Sequence, residues 1–474
     1  MKNSLYLLIL SISLAAGGLL LYKTLSASEL PPNVLLIIAD DLGKDASPCY
    51  SEGEQKPHTP NLKALCESGL TFDQFWTYPV CTPTRASILT GKFGFRTDAL
   101  DIIWNQSFPS IDRKEVSLQR FLDLYAPIKY ESAVIGKWHL ANDNNGKYES
   151  PAVMGVRHYE GLLGGGLQTY DNWLKIENGS PRRVDQYITT HLTDRAIDWL
   201  DKQNKKEKPW FLWLAYNAPH APFHLPPAHM HSHQGLSADP EAVKQNTLPY
   251  YLAMVESMDY DIGRILKSLP SEVRNNTVVI FIGDNGTPRE GSQPPYVPYR
   301  TKGTLFEGGV NTPLIISGKG VGRQGERENA LVQSVDLFST IARVAGIIAP
   351  EHYDSRSFYE LLSQKDGIKR RSINFTERLW RGQPGVTPHP KATPNGTYGY
   401  AIRDQTYKYQ KRGPDEFLYD LSQDPYERRN LLEAGDEKTK ANAMEVRERL
   451  RKAAHTLKTE LPPPTVPSMV NESS

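Results

Sequence analysis

The chain has 474 residues, with 55 lysines and arginines against 54 aspartates and glutamates, so its net charge is close to zero. The length exceeds what one small core needs and indicates a large domain with a smaller one. The balanced charge argues against a nucleic-acid partner or another polyanion bound across the whole surface, so an anionic ligand would need a local cluster of cations.

The first predicted element is an N-terminal targeting segment. Residues 5–22 are almost all apolar and follow Lys2, which is typical of a signal peptide or an uncleaved membrane anchor. The small residues at 26–28 offer a cleavage site. We therefore expect residues 1–28 to direct export, leaving the mature protein periplasmic, secreted or anchored to the membrane by this segment.

Five short apolar runs predict buried strands. They are residues 34–39, 132–135, 211–216, 278–282 and 313–317. Helical patterns lie between them, for example at 185–203 and 248–269. This alternation predicts an α/β fold with a large, mostly parallel sheet sandwiched by helices. Ligands of such folds bind beyond the carboxyl ends of the strands, and polar residues follow four of the five runs.

Two of those strand ends carry acidic pairs. Asp40 and Asp41 follow the first run, and Asp284 and Asn285 follow the fourth. Three carboxylates and an amide oxygen suit Ca²⁺ or Mg²⁺ and do not suit zinc. Taken alone, each pair has a simpler explanation, a helix cap for the first and a turn for the second. Adjacent carboxylates nevertheless repel each other unless a cation lies between them.

Further polar residues follow other strands. Lys137 and His139 are two positions apart on an extended segment and so share a face. His220 lies in a loop stiffened by two prolines, and Lys302 precedes a glycine-rich stretch. Each of these residues alone would usually be a solvated or structural group. A nearby group of histidines, which we interpret as a loop over the pocket and not as a second metal site, comprises His224, His229, His231 and His233.

The C-terminal part predicts a different architecture. Short amphipathic strands at 399–403, 407–410 and 416–419 precede a charged helix at 437–457. We expect a small antiparallel sheet with one helix, forming a C-terminal subdomain at 366–460 after a main domain at 31–360. Residues 461–474 are expected to form a flexible tail.

The chain contains three cysteines, Cys49, Cys66 and Cys81. Cys81 precedes a predicted helix in which Thr82 is the N-cap, Pro83 is the first helical residue and Gly91 ends the helix. A nucleophile there would meet unpaired backbone N–H groups and the positive end of the helix dipole, which suits an anionic substrate. A buried structural cysteine is the alternative.

The string at 79–91, Pro-Val-Cys-Thr-Pro-Thr-Arg followed by Ile-Leu-Thr-Gly, resembles the signature of the sulfatases, a formylglycine-dependent family of the alkaline-phosphatase-like superfamily. Residues 130–139 resemble the second sulfatase signature, although Lys129 stands where that pattern has glycine. Weaker similarities lie around His220, at Lys302 and at 418–431. The resemblance extends over roughly residues 33–460.

The resemblance implies that a formylglycine-generating enzyme converts Cys81 to formylglycine, whose hydrate attacks sulfur. It implies Ca²⁺ bound by Asp40, Asp41, Asp284 and Asn285, with the group at Cys81 nearby. His139 would accept a proton, and His220 or Lys302 would protonate the departing alkoxide. Charge on the sulfuryl oxygens would be balanced by Arg85, Lys137 and Lys302. With Cys81 modified, Cys49 and Cys66 are free to form a disulfide or to remain thiols.

The expected activity is hydrolysis of a sulfuric ester, with a sulfated carbohydrate preferred over an aryl sulfate. A phosphodiester or phosphonate monoester hydrolase is an alternative, because related enzymes use the same site. A non-catalytic binding protein would follow if Cys81 were never converted. Loops form the rim of the pocket. A purely structural role is an alternative for each candidate rim residue. The candidates are Trp104, Asn105, Arg289, Tyr296, Arg300, Arg378, Trp380, Arg381 and His389.

Overall fold

The computed structural model describes residues 30–104, 108–348, 352–368, 370–381 and 396–460. The predicted export segment at 1–28, the predicted tail at 461–474 and the rim candidates Asn105 and His389 lie outside these ranges. None of the helices within the described ranges combines the length and apolar character that a membrane crossing requires.

Sixteen strands form three sheets among the described residues. In chain order they are β1 Asn33–Ala39, β2 Gly69–Phe72, β3 Phe75–Trp76, β4 Glu131–Gly136, β5 Tyr159–Gly161, β6 Trp173–Glu177, β7 Ser180–Val184, β8 Trp210–Ala215, β9 Thr277–Gly283, β10 Leu314–Gly318, β11 Glu326–Glu328, β12 Val332–Gln333, β13 Asn374–Trp380, β14 Thr397–Arg403, β15 Tyr407–Arg412 and β16 Asp415–Asp420. The main sheet has ten strands in the order β11-β2-β10-β9-β1-β8-β4-β5-β6-β7, and β3 pairs with β12.

The centre of the main sheet is parallel, as predicted. Strands β9, β1, β8, β4 and β5 are consecutive neighbours that run in one direction. The predicted strand at 313–317 exists as β10 but pairs antiparallel with β9. Its direction follows from its connection, because the chain leaves β9 and enters β10 at the same edge of the sheet without a crossover helix.

Helices cover both faces of this sheet. In chain order the α-helices are α1 Pro60–Glu67, α2 Cys81–Thr90, α3 Gly94–Thr97, α4 Leu118–Tyr125, α5 Ser150–Val153, α6 Ile188–Gln203, α7 Pro240–Gln245, α8 Thr247–Ser268, α9 Ser271–Asn275, α10 Glu307–Val310, α11 Asp336–Val344 and α12 Glu437–Thr459. Along β1, Val34 and Leu36 pack into one core with α2, α4 and α11, whereas Leu35 and Ile37 pack into a second core with α1, α6 and α8. Residues of both sets are fully buried, which explains why β1 is continuously apolar.

The predicted C-terminal sheet and helix are also present. Strands β13 to β16 form a four-stranded antiparallel sheet, and the apolar side of α12 packs on it through Val446 and Leu450. Buried ion pairs join this sheet to the main body, because Glu307 on α10 lies 3.1 Å from Lys408 and 3.5 Å from Arg403. The boundary between 360 and 366 stays a prediction.

Cys49 and Cys66 form a disulfide that joins the loop before α1 to the last turn of that helix. The two residues are 17 positions apart, and closing a loop of about that length in the unfolded chain stabilises a protein by roughly 3 kcal/mol. We expect the Cys49→Ala/Cys66→Ala double variant to unfold at lower denaturant concentration while its turnover at 25 °C is maintained. Equal unfolding midpoints for variant and wild type would contradict this expectation.

Candidate active site

Four neighbouring strands bring their polar ends together, as the sequence predicts. Backbone hydrogen bonds hold the ends in register, since Asp284 N donates to Ala39 O at 3.1 Å and Asp40 N donates to Ala218 O at 3.2 Å. Lys137 follows β4 and donates its backbone N–H to Ala215 O at the end of β8. The acidic pairs, Lys137 and the His220 loop therefore meet at the carboxyl edge of the parallel sheet.

Helix α2 presents Cys81 to this edge, but its capping differs from the prediction. The helix begins at Cys81 itself, after Val80, which has extended backbone and no side-chain cap. Thr82 is therefore inside the first turn, and its Oγ1 donates to His139 O at 3.2 Å. The predicted cap is wrong because Thr82 lies within the helix, and its Oγ1 accepts the backbone N–H of Ile103 at 3.3 Å instead of an N–H of the helix. Gly91 ends the helix with φ 66°, as predicted.

The thiol of Cys81 is enclosed by charged groups. Its Sγ lies 3.3 Å from Asp40 Oδ1, and Lys137 Nζ lies 3.5 Å from the sulfur. Burial raises the pKa of Cys81 well above its usual value, and Asp40 adds to that rise. The unmodified thiol therefore stays protonated and is a weak nucleophile.

The acidic residues are tied to one another and to Arg85. Asp284 accepts the backbone N–H of Asp41 at 3.0 Å through Oδ1 and two guanidinium N–H groups of Arg85, at 3.1 and 2.8 Å, through Oδ2. Lys137 Nζ donates to Asp40 Oδ2 at 2.5 Å. Burial raises the pKa of Asp284 to about 6, with a further rise from Asp40 and an opposing effect of Arg85.

Asn285 supplies an observation that fits a bound cation. Its Nδ2 donates to Asp41 Oδ1 at 2.8 Å and to Gly286 O at 3.1 Å, whereas its buried Oδ1 has no hydrogen-bond partner among the described residues. An unpaired buried acceptor is costly unless something binds it. Ligand atoms of Asp40, Asp41, Cys81 and His220 also lie within 4.8 Å of one another. The oxygen atoms of Asp40, Asp41 and Asn285 fit a hard divalent cation.

Lys302 and His220 face the same carboxylate. Lys302 Nζ donates to Asp41 Oδ2 at 2.5 Å, and His220 Nε2 lies 3.7 Å from that oxygen. Burial alone would raise the pKa of Asp41, but Lys302 and His220 more than offset burial and lower it. Burial lowers the pKa of His220 to about 3, against an opposing effect of Asp41, so its ring is neutral at pH 7.

His139 is held in an uncommon conformation. Its φ is 56°, which non-glycine residues adopt rarely and often at functional sites. Its Nε2 lies 3.3 Å from Ile103 O, so Nε2 carries the hydrogen, and its buried Nδ1 has no partner within the described chain. Burial, with Lys137 and Arg85 nearby, lowers the pKa of His139 well below its usual value. The ring therefore has a free acceptor nitrogen.

A cavity of about 650 Å³ opens beside Asp41, His220 and Lys302. Of the rim candidates, Trp104, Arg289 and Arg378 line it. The sequence patterns did not identify other residues of the cavity wall, because these residues have no distinctive spacing. They lie in short loops and on α7, and they include Phe223, Val243, Lys244 and Glu290.

The remaining rim candidates do other things. Tyr296 lines a separate polar cavity, and Arg300 lies over the ring of Phe306. Trp380 donates its indole N–H to Gly303 O at 3.1 Å, and Arg381 donates its backbone N–H to Asp101. Within the described ranges, the loop histidines form no group with metal-ligand geometry; they are His224, His229, His231 and His233.

Comparisons with known proteins agree with this arrangement. Residues 32–347 match the Sulfatase family, and residues 298–456 match the C-terminal region of N-sulphoglucosamine sulphohydrolase. An arylsulfatase of Klebsiella aerogenes is 25% identical over 68% of this chain and 88% of its own. An ulvan-active sulfatase of Formosa agariphila is 26% identical over 90% of this chain and 82% of its own.

A solved structure shares the fold. The crystal structure of Ps i-CgsB in complex with k-i-k-neocarrahexaose has a TM-score of 0.71 and 23% identity, and the match covers 93% of this chain and 96% of that one. The family match spans most of the main sheet and all four strand ends that build the site. The chain therefore belongs to the sulfatase family and is a sulfuric ester hydrolase.

Proposed function

We propose that this sulfatase releases inorganic sulfate from a sulfated carbohydrate, using formylglycine at position 81 and calcium held by Asp40, Asp41, Asp284 and Asn285. The observation that carries the proposal is the position of Cys81. It is the first residue of α2, and its sulfur contacts Asp40 and Lys137. Asp41, next to Asp40, lines a cavity of about 650 Å³, which is within the usual size range of ligand pockets.

Two relatives support a carbohydrate substrate. One is named as an ulvan-active sulfatase, and one solved structure is described in complex with a neocarrahexaose. The arylsulfatase relative supports the alternative of a small aryl ester. The cavity favours the carbohydrate, because Trp104 is exposed on its wall and an aromatic face suits stacking against a sugar ring.

Two absent groups would supply part of the chemistry. Formylglycine, when formed, supplies a hydrated aldehyde as nucleophile, and calcium, when bound, supplies positive charge beside a sulfuryl oxygen. The four proposed ligands meet the cation's preference for oxygen donors. The protein's own task is to place the sulfate, neutralise its charge and move two protons.

Three cations perform the neutralisation. Arg85 and Lys137 are linked, because Arg85 Nη1 donates to Lys137 O at 2.7 Å, and both side chains are fully buried. Lys302 contacts Asp41 Oδ2, remains partly exposed and lines the cavity. Cations fixed before the substrate arrives stabilise developing charge without reorganisation, and removing one costs roughly 10²–10³ in kcat.

Hydrogen-bond geometry supports the following proposed proton transfers. His139 has a free acceptor at Nδ1 and accepts a proton from the attacking group. His220 Nδ1 donates its hydrogen bond to Ala221 O at 2.6 Å, so this hydrogen is not available to the substrate. Lys302 carries only donors, so it is the better source of the proton for the departing alkoxide, while His220 accepts a hydrogen bond at Nε2.

The role of His139 can be tested through its neighbour Gly165. A Cβ at position 165 would lie 2.3 Å from His139 Nε2, whereas a Cβ at Gly164 would meet nothing within 4 Å. We expect Gly165→Ala to displace the imidazole and lower kcat by about 10²-fold, the usual contribution of a positioned base. Gly164→Ala is the matched control. Equal steady-state rates for the two variants would remove His139 from the mechanism.

The proposed function is tested in two measurements on one calcium-loaded sample. Mass spectrometry of the Cys81 peptide determines whether formylglycine is present. Ion chromatography then measures sulfate released from sulfated oligosaccharides and from an aryl sulfate, with phosphate release from a phosphodiester as a third arm. We expect formylglycine and faster release from one oligosaccharide. Phosphate release alone would favour the phosphodiesterase alternative, and an unmodified thiol in protein from the native host would favour a binding protein.

The proposal extends to maturation and organisation. A formylglycine-generating enzyme would act on Cys81, and residues 1–28 would direct export to the periplasm, the medium or the membrane surface. The main domain at 31–360 would carry the site, and the subdomain at 366–460 would complete the cavity wall. Edman sequencing of the secreted protein would determine whether the N-terminal segment is removed.

A further inference from the structure

The C-terminal sheet contributes a cation to the active-site cavity. Arg378 is on β13, and its side chain lines the same cavity as Lys302 and His220. Its side chain is 12% exposed, whereas the side chain of its partner Asp101 is 2% exposed. A guanidinium so enclosed, but still part of the cavity wall, differs from an ordinary surface arginine.

The position of Arg378 is determined by three contacts. Its Nε donates to Asp101 Oδ1 at 2.9 Å, and its Nη1 donates to Gly303 O at 2.7 Å. Trp380 lies beneath the guanidinium, with the ring centre 5.5 Å away. Gly303 directly follows Lys302, so the arginine is fastened to the segment that carries the proposed proton donor.

Gly303 leaves the space that this arrangement needs. It has φ 86°, and a Cβ built there would lie 3.0 Å from Arg378 Nη1. A side chain at 303 would be strained by its backbone and would press on the guanidinium. The side chain of Arg378 therefore crosses the Lys302 loop at Gly303, which has no side chain.

One donor group of Arg378 makes no hydrogen bond within the described part of the chain. No hydrogen bond from Nη2 is found to the described residues, although Nε and Nη1 are both paired. The cavity lining also includes two further cations, Lys244 and Arg289, and one carboxylate, Glu290, all exposed. A planar guanidinium with a free edge is suited to oxyanions.

We propose that Arg378 binds a second anionic group on the substrate, so that the substrate is a carbohydrate with a further sulfate or a uronic carboxylate beside the scissile sulfate. This inference rests on the proposed carbohydrate sulfatase function. It assigns a specificity role to the C-terminal sheet, since no cation of β13 is needed for the chemistry at Cys81. Both candidate groups are oxyanions, the carboxylate planar and the sulfate tetrahedral. Substrates that carry one or the other can distinguish between them.

The kinetic test uses three matched disaccharides. The first carries one sulfate, the second carries an added sulfate, and the third carries one sulfate and a uronic acid. We expect Arg378→Gln to lower kcat/KM for the preferred dianion about 10- to 100-fold more than for the monosulfated sugar, the loss of one charge-assisted hydrogen bond. Arg378→Lys keeps the positive charge but lacks the planar guanidinium. We expect its kcat/KM for the dianion to lie between the values of Arg378→Gln and the wild type.

Arg412 provides the matched control. It lies over the same Trp380 ring, with 4.6 Å to the ring centre, but it comes from β15, which β14 separates from β13. Arg412 is not among the residues that line the cavity. Arg412→Gln should leave the ratio of the two kcat/KM values unchanged. If Arg378→Gln changes that ratio no more than Arg412→Gln does, Arg378 has a structural role only and the inference is overturned. If Arg378→Gln does not fold, Arg378→Lys supports the same comparison.

Binding separates failure of this inference from failure of the proposed function. Calorimetry with Cys81→Ala, which needs no formylglycine, compares dissociation constants with and without Arg378→Gln. Weaker binding of the dianion in the double variant supports the inference, and unchanged binding overturns it while sulfate release by the wild type still stands. If the wild type hydrolyses none of the three sugars and Cys81→Ala binds none, the carbohydrate proposal falls and this inference falls with it.

Discussion

Cys81→Ala is expected to abolish sulfate release, by on the order of 10⁶-fold in kcat, the size of loss that follows deletion of an enzyme's nucleophile. The reason lies in the contacts of the sulfur. Asp40 Oδ1 at 3.3 Å and Lys137 Nζ at 3.5 Å bracket position 81, so whatever chemical group stands there meets the charged groups of the site. Sulfate release measured by ion chromatography over hours would detect a residual rate.

The control for this experiment is a measurement of whether the Cys81→Ala variant is folded. Position 81 is buried, and the substitution removes only the sulfur of cysteine or the oxygens of formylglycine beyond Cβ, so we expect only a small change in thermal unfolding midpoint. The variant should also retain its stabilisation by calcium, because the four proposed ligands are unchanged. A folded Cys81→Ala protein with near-normal turnover would refute the assignment of the nucleophile.

Removal of calcium is the second change with a large expected effect. Chelation should stop sulfate release, and added Ca²⁺ should restore it. Without a cation, the buried Oδ1 of Asn285 has no hydrogen-bond partner among the described residues, and it lies beside the carboxylates of Asp41 and Asp284. A cation that binds only the folded protein stabilises it by about 2.7 kcal/mol at one hundred times its dissociation constant. The unfolding midpoint should therefore rise with calcium concentration.

Asn285→Ala sharpens this test, because it removes the unpaired oxygen and leaves the ion pairs of Arg85, Lys137 and Lys302 in place. Even the loss of a residue that merely orients a ligand costs about 10–100-fold in metal affinity, so we expect at least that loss. Asn311→Ala is the matched control, since Asn311 is also buried with an unpaired Oδ1 but lines a different cavity. Equal calcium dependence of unfolding in the two variants would exclude Asn285 as a ligand.

Arg378 shows why the C-terminal sheet matters to the catalytic body. The sheet is joined to the main body by the buried pairs of Glu307, and its first strand places a guanidinium against the Lys302 loop. Loss of that sheet would therefore remove the part of the cavity wall that Arg378 forms. Relatives that share the chemistry at position 81 can differ in this wall, because binding specificity depends on rim residues that the reaction itself does not use.

Much of the fold and most of the candidate site were predictable from the sequence. The run at 34–39 is apolar at every position and is followed directly by Asp40 and Asp41. Consecutive residues therefore predict both the buried strand and its polar end. The same local logic holds at Asp284 and at Lys137. Parallel strands place such ends at one edge of a sheet, so their meeting followed from the fold class.

Other features were decided by tertiary structure. Thr82 does not cap α2, and its Oγ1 instead accepts the N–H of Ile103 and donates to His139 O, 57 positions away. The direction of β10 depends on where its connection re-enters the sheet. Arg378 meets Asp101 across 277 positions of sequence, and no periodicity links them. Local patterns determine elements because neighbours along the chain share one backbone geometry, whereas contacts between distant loops depend on packing that only the assembled chain provides.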